Sequence, residues 1–270
     1  MKIAFLGGGN MAGALIGGLL AKGFDARSIS AIEVNPAARE RLAAQHGVRV
    51  DAAPDAATGE ADTLVLAVKP QDMRAALVPL AATARGKLVI SIAAGVRLGT
   101  LSRWLDGHRK LVRCMPNTPA LIGAGVSGLY AAPDVSAEEK ARAETVLRAV
   151  GEVVWLAEER LLDPVTALSG SGPAYLFWFI EQLAAFGERS GISKGDSLKL
   201  ALHTALGAAK LAAGAGEPPE ALRKNVTSKG GTTEAALRVF DEEALAERFA
   251  RALEAARRRG AELGDELGRD

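Results

Sequence analysis

The chain is 270 residues long with 49 % hydrophobic residues, enough for one large domain or two ordinary ones and for a sizeable core. Lys and Arg number 33 against 32 Asp and Glu, a net charge of +1 that gives no pull toward nucleic acid or an anionic membrane. The one cysteine, Cys114, excludes an internal disulfide and suits a reducing, cytoplasmic compartment.

The N-terminus opens on MKIAFLGGGNMAGALIGGLLAKG, in which Ile3 to Ala21 carries no charge. The length suits a membrane span or signal segment, but three adjacent glycines and Asn10 would break either one, and no A-x-A cleavage site stands out. The stretch instead reads as a strand (2–7), a glycine loop and a helix with small residues on one face. Further strands are expected at 28–33, 48–50, 62–68, 87–93 and 110–115. Helical patterns at 36–46 and 71–84 separate some of them. Two more strands, 125–132 and 152–157, flank a helix at 136–149. Apolar strands alternating with helices argue for a mostly parallel, doubly wound α/β sheet covered on both faces.

From about Leu161 the strand-like runs stop. Helices are expected at 172–190, 195–214 and 241–263, with shorter ones near 217–226 and 232–239. The expected organisation is a sheet domain over 1–160 and an all-α domain over 161–270. The helix beginning GPAYLFWFIEQL is apolar on all sides for two turns. Such a helix must be buried, and a chain this small buries it best against a second copy.

Gly7-x-Gly9-x-x-Ala12, between a strand and a helix, is a dinucleotide fingerprint. The first glycine makes the tight turn, the second admits the pyrophosphate, and the small third residue lets helix and strand pack. Gly7, Gly9, Asn10, Met11 and Ala12 are therefore cofactor candidates, with the pyrophosphate at the helix N-terminus. Glu33 ends the second strand, where an acid accepts hydrogen bonds from the adenosine ribose; an exposed strand-end acid is the plainer alternative. With Glu33 at the ribose, NADH should serve at least as well as NADPH, whose 2′-phosphate would face the carboxylate. A bend that turned Glu33 outward would let Asn35 meet that phosphate instead. Ligands of such sheets bind beyond the carboxyl ends of the strands, so Ala67, Val68, Lys69 and Pro70 are expected to border the cofactor, as are Ala93, Ala94 and Gly95. Pro70 makes Lys69 more a loop support than a catalytic base.

GGGNMAGALIGGL, AVKPQDM, SIAAGV, RCMPNTPALIGAGVSGLY, LSGSGPAY and NVTSKGGTTEAAL follow one another in this order. Together they resemble the pyrroline-5-carboxylate reductases over essentially the whole chain. The resemblance implies a Rossmann domain followed by an all-helical dimerisation domain, and a homodimer that can assemble further into a ring of five. It implies reduction of 1-pyrroline-5-carboxylate to L-proline with NADPH or NADH, as the last step of proline biosynthesis. It places the substrate on Asn225, Gly231, Thr232 and Thr233, with Glu159 as a neighbour and Thr233 as the catalytic candidate, and adds Asn117 to the cofactor site. Glu33-Val34-Asn35 departs from the small, polar or basic residues of NADP-preferring members.

Read alone, TSKGGTTEAAL is either an anion site at a helix N-terminus or an ordinary N-capped helix. Hydride transfer to a cyclic imine needs no metal, nucleophile or strong general acid, which suits a chain without metal-ligand spacing. His46, His108 and His203 lie outside every motif and read as structural or surface residues, and Cys114 as a small buried one. A β-hydroxyacid dehydrogenase would need a lysine on the first long helix of the second domain, and GPAYLFWFIEQL has none. A non-catalytic dinucleotide sensor would leave KGGTT without a purpose.

Overall fold

The computed structural model describes residues 1–269, which cluster into two units. One comprises residues 1–171 and the C-terminal segment from Ala256; the other is Gly172–Ala255. The break falls later than the texture change at 160/161, and the end of the chain returns to the first unit.

All eight expected strands form: β1 (Ile3–Leu6), β2 (Ile29–Ile32), β3 (Arg49–Asp51), β4 (Thr63–Leu66), β5 (Leu88–Ser91), β6 (Leu111–Met115), β7 (Gly125–Ala131) and β8 (Gly151–Trp155). They build one sheet in the order β3-β2-β1-β4-β5-β6-β7-β8, parallel except for the β6–β7 pair. Leu6 is in register with Ile32 and Leu66, and Leu66 with Ser91. The residues that follow these strands therefore share one edge of the sheet. The chain crosses from one side of β1 to the other between β3 and β4, the switch point at which such sheets open a crevice.

The helices of the first unit are α1 (Asn10–Ala21), α2 (Pro36–His46), α3 (Ala56–Glu60), α4 (Met73–Leu77), α5 (Ala81–Ala84), α6 (Leu98–Trp104), α7 (Ala137–Arg148) and α8 (Leu162–Val165). Two apolar layers sandwich the sheet. Ile3 and Phe5 of β1 pack with Leu15, Ile16 and Leu19 of α1 and Leu147 of α7. Ala4 and Leu6 face the other way, toward Met73, Leu77, Leu101 and Trp104. Burial on both faces explains why these strands read as continuous apolar runs. Gly18 lets α1 approach the end of α7 closely, since a Cβ there would collide with the Ala149 carbonyl oxygen.

The expected helix at 71–84 is instead a broken series of short turns. Pro79 supplies no N–H and clashes with the carbonyl four residues back, so α4 stops at Leu77 and α5 starts afresh at Ala81. After α8, residues Thr166–Gly170 form a π-turn, closed by the Ser171 N–H donating to the Thr166 carbonyl at 2.8 Å.

The second unit holds α9 (Gly172–Arg189), α10 (Lys194–Gly214), α11 (Pro219–Asn225), α12 (Thr232–Glu242) and the first half of α13 (Leu245–Leu267). Gly187 lets α9 and α10 approach, since a Cβ there would stand 2.6 Å from the Ser197 hydroxyl. Ser193 caps α10, accepting from the Asp196 N–H at 3.2 Å. Tyr175 and Phe179 meet Phe249 edge to face, with ring centroids 5.8 and 6.4 Å apart. The break between α12 and α13 comes later than the expected 239/241: Ala244 adopts φ +50°, a left-handed conformation that ends the run. Among the described residues, no helix is long and apolar enough to cross a membrane.

Candidate active site

Gly7 turns with φ +102°, and a Cβ there would lie 2.8 Å from the Ala67 carbonyl, so only glycine fits between β1 and the end of β4. Gly9 has open space where its side chain would be. It is the N-cap of α1, which has neither a side-chain cap nor an acid in its first turn. The first intrahelical bond is that of the Gly13 N–H to Gly9, leaving the N–H groups of Asn10, Met11 and Ala12 directed at the loop. A helix start with free amides, an unscreened dipole and open space over a glycine fits a dinucleotide pyrophosphate.

Glu33 lies beside this loop. Its Oε2 accepts from the Gly8 N–H and its Oε1 from the Asn35 N–H, both at 2.8 Å. Asn35 caps α2 with its side-chain oxygen, Oδ1 accepting from the Ala38 N–H at 3.1 Å. Arg39, on α2, donates from Nη1 to the carbonyls of Glu33 and Val34 at 3.0 Å each. Its separation of six from Glu33 fits no local side-chain pairing rule.

At the other carboxyl ends, Ala67 and Val68 adjoin the Gly7 turn, Lys69 is exposed, and Pro70 starts a tight turn closed by the Asp72 N–H on the Lys69 carbonyl at 3.0 Å. Ala93 is buried and Ala94 exposed. Gly95 has another partner: with φ +79°, it lies against Leu263 and Leu267 of α13, where a Cβ would come within 3.5 and 3.3 Å. Asn117 is also used internally. Its Oδ1 accepts from the Val126 N–H at 3.0 Å, and its Nδ2 donates at 3.2 Å to the Ser169 carbonyl in the π-turn.

Glu159 likewise makes contacts within the first unit. Its Oε1 accepts the Leu98 N–H at the start of α6 at 2.8 Å and Nη1 of the buried Arg113 at 3.2 Å. Asp163 stands 3.8 Å from the other end of that guanidinium. No local sequence pattern marks this cluster, because its members lie on separate elements.

In the second unit, Gly231 caps α12 without a side chain, and Gly230 turns with φ +72°. Glu234, three residues beyond the cap, reaches past it to the Gly230 N–H at 2.7 Å, one residue before the N-cap amide that a capping box would engage, so no capping box forms. The N–H groups of Thr232, Thr233 and Glu234 precede the first intrahelical bond, from Ala235 to Gly231. Neither threonine hydroxyl has a partner among the described residues. Asn225, at the end of α11, donates to Glu217 at 3.4 Å.

The other reactive side chains are elsewhere. Cys114 is fully buried, and burial pushes its thiol well above the usual range. His108 Nε2 lies 3.0 Å from the Lys87 carbonyl oxygen, and burial lowers its pKa. No cluster of metal-binding side chains occurs among the described residues.

Comparison with known proteins accounts for both units. Residues 159–263 match the family described as pyrroline-5-carboxylate reductase dimerisation, and residues 2–95 match that of F420-dependent NADP oxidoreductases. The pyrroline-5-carboxylate reductase of Pseudomonas aeruginosa is 44 % identical over 99 % of this chain and 98 % of its own. Its counterpart from Coxiella burnetii superposes with a TM-score of 0.92 at 38 % identity, covering 97 % of this chain and 98 % of its own. The Plasmodium falciparum pyrroline carboxylate reductase, solved with NADP bound, gives a TM-score of 0.86 at 27 % identity, covering 98 % of each chain. The chain belongs to the pyrroline-5-carboxylate reductase family.

Proposed function

We infer that this protein reduces 1-pyrroline-5-carboxylate to L-proline with NAD(P)H, the last step of proline biosynthesis. The observation that carries the reading is a pair of helix N-termini that lack a side-chain cap, each behind a glycine turn. One, at α1, suits a dinucleotide pyrophosphate; the other, at α12, suits a small carboxylate. NAD(P)H supplies the hydride. The carbon of the protonated C=N bond would accept it, the π electrons would pass to nitrogen to give the neutral amine, and one further proton from water would give the ammonium form of proline. The chain's task is to hold and orient the reactants.

In this reading the amides of Thr232, Thr233 and Glu234 bind the carboxylate of the imine. Glu234 spends its carboxylate on the Gly230 N–H. The free Thr233 hydroxyl bonds the nitrogen or the carboxylate as charge redistributes. Asn225 and Thr232 complete the substrate contacts, and Glu159 acts indirectly by holding Arg113 and the start of α6. The sheet unit serves as the dinucleotide domain and the helical unit as the dimerisation and substrate domain. The helical unit pairs with a second copy through the apolar face of α9 and α10, and dimers assemble into a ring of five in the cytoplasm.

The test is oxidation of NADH or NADPH by the purified protein with 1-pyrroline-5-carboxylate, followed by loss of reduced-nicotinamide absorbance. Oxidation that needs the imine and yields proline in equal amount supports the reading. Turnover of a 2-hydroxy acid in the reverse direction, with none of the imine, would overturn it.

A further inference from the structure

We propose that Glu33 makes this enzyme NADH-preferring, as a fixed carboxylate that accepts the ribose hydroxyls and repels a 2′-phosphate. The inference rests on the dinucleotide reading of the sheet unit. It stands on geometry that a strand-end acid need not have. The end of β2 is tied to the glycine loop, because the Gly7 N–H donates to the Ile32 carbonyl at 2.8 Å. Every polar group of Glu33 is then engaged. Its N–H donates to the Asp51 carbonyl at 2.9 Å, its carbonyl accepts from Arg39, and its two carboxylate oxygens accept from the N–H groups of Gly8 and Asn35. Turning the carboxylate outward would break two charge-assisted bonds and leave both amides without a partner.

Each carboxylate oxygen keeps lone pairs after accepting one N–H, and it can only accept. Two ribose hydroxyls are donors and match it. A 2′-phosphate replaces one donor with an anion that carries only acceptors at neutral pH, and the contact becomes repulsive. Two arginines of α2 are near, Arg39 at the strand end and Arg41 on the cleft lined by Gly8, Gly9 and Asn10. Arg39 spends Nη1 on two main-chain carbonyls beneath the strand end, and no basic residue stands at 34–38. Asn35 keeps its Oδ1 on the α2 cap, which leaves Nδ2 as a neutral donor that does not offset the repulsion between two anions.

The experiment is calorimetric titration of the full-length protein with NAD+ and with NADP+, repeated with ADP-ribose and its 2′-phosphate to remove any nicotinamide contribution. The expected result is that NAD+ binds at least about tenfold more tightly than NADP+, or ~1.4 kcal/mol. Glu33→Ser and Glu33→Gln should each shift the ratio toward NADP+ by about tenfold or more. The glutamine variant keeps the bulk and one acceptor while removing the charge, so a shift in both variants assigns the effect to charge. Arg39→Gln should weaken the two nucleotides alike. Tighter binding of NADP+ to the unaltered protein, or an unmoved ratio in both Glu33 variants, overturns the proposal. So does a loss confined to NADP+ in Arg39→Gln, which would make Arg39 the phosphate anchor. Binding of neither nucleotide to the folded protein would overturn the dinucleotide site itself and the proposal with it.

Discussion

The two units solve the problem of burying apolar surface in opposite ways. In the sheet unit every residue of β1, β2, β4 and β5 is buried, and both faces of the sheet carry a contiguous core. In α9 only Ala184 and Gly187 are buried, while Leu176, Phe177, Trp178 and Phe186 are between 52 and 64 % exposed. On α10, Leu200, Leu206 and Leu211 are likewise at least half exposed. A soluble monomer rarely leaves so much contiguous apolar surface uncovered, whereas an obligate interface resembles a core cut in two. The sheet unit is thus complete within one chain, and the helical unit is completed by a second copy.

The comparison breaks most easily in the sheet unit. Phe5 is fully buried between β1 and α1. Phe5→Ala should cost about 3–5 kcal/mol, read as a lowered denaturation midpoint at every protein concentration. An effect below ~1 kcal/mol would mean that this core is not the unit's main support.

A charge on the other unit should act differently. Phe177→Asp places a carboxylate on the exposed face of α9 and should weaken dimerisation by about 2–4 kcal/mol, roughly thirtyfold to nearly a thousandfold in Kd, as read by sedimentation. The denaturation midpoint of the sheet unit should stay put. An unchanged dimer would show that the interface lies elsewhere.

Thr233→Ala sharpens the chemical side of the contrast. Losing one hydroxyl bond to a charged group, about 1.5–3 kcal/mol, should lower turnover by about one to two orders of magnitude. Neither the dimer nor nucleotide affinity should change. Wild-type turnover in the variant would make Thr233 an ordinary first-turn residue.

The smallest effect concerns pH and again belongs to the sheet unit. Burial of Glu139 opposes its charge, but hydrogen bonds from Lys110 and from Ser136 prevail and hold its carboxyl below the usual 4.5. A depressed folded-state pKa adds stability that is fully present above the unfolded value and is lost as pH falls through the folded one. Thermal stability should therefore begin to drop as pH falls below about 4.5. Glu139→Gln should flatten part of that drop, and Ser136→Ala should remove about 0.5–2 kcal/mol of capping. An identical pH profile for Glu139→Gln would assign the drop to other carboxylates.

The strands were legible because a parallel strand buried on both faces is an apolar run with punctuation at each end, and β1, β4 and β5 are such runs. The glycine loop was legible because Gly7 and Gly9 meet steric demands peculiar to glycine. The broken segment after β4 was misread because helical periodicity outweighed Pro79. Pairings across long separations left no local trace: Glu159 with Leu98 and Arg113, Asn117 with Ser169, and Gly95 beneath α13. The side chains of Asn117 and Glu159, expected at ligands, also tie separate elements together. At Glu33 the position was readable, but the amides that fix its carboxylate come from a loop 25 residues away and from its own turn.

The difference between the units is tested most directly by sedimentation of the unaltered protein through a dilution series, with imine-dependent NADH oxidation measured on the same samples. The account predicts a dimer or a multiple of it at working concentrations, and activity that falls together with the dimer on dilution. A folded monomer that keeps full activity after the dimer has gone would contradict it.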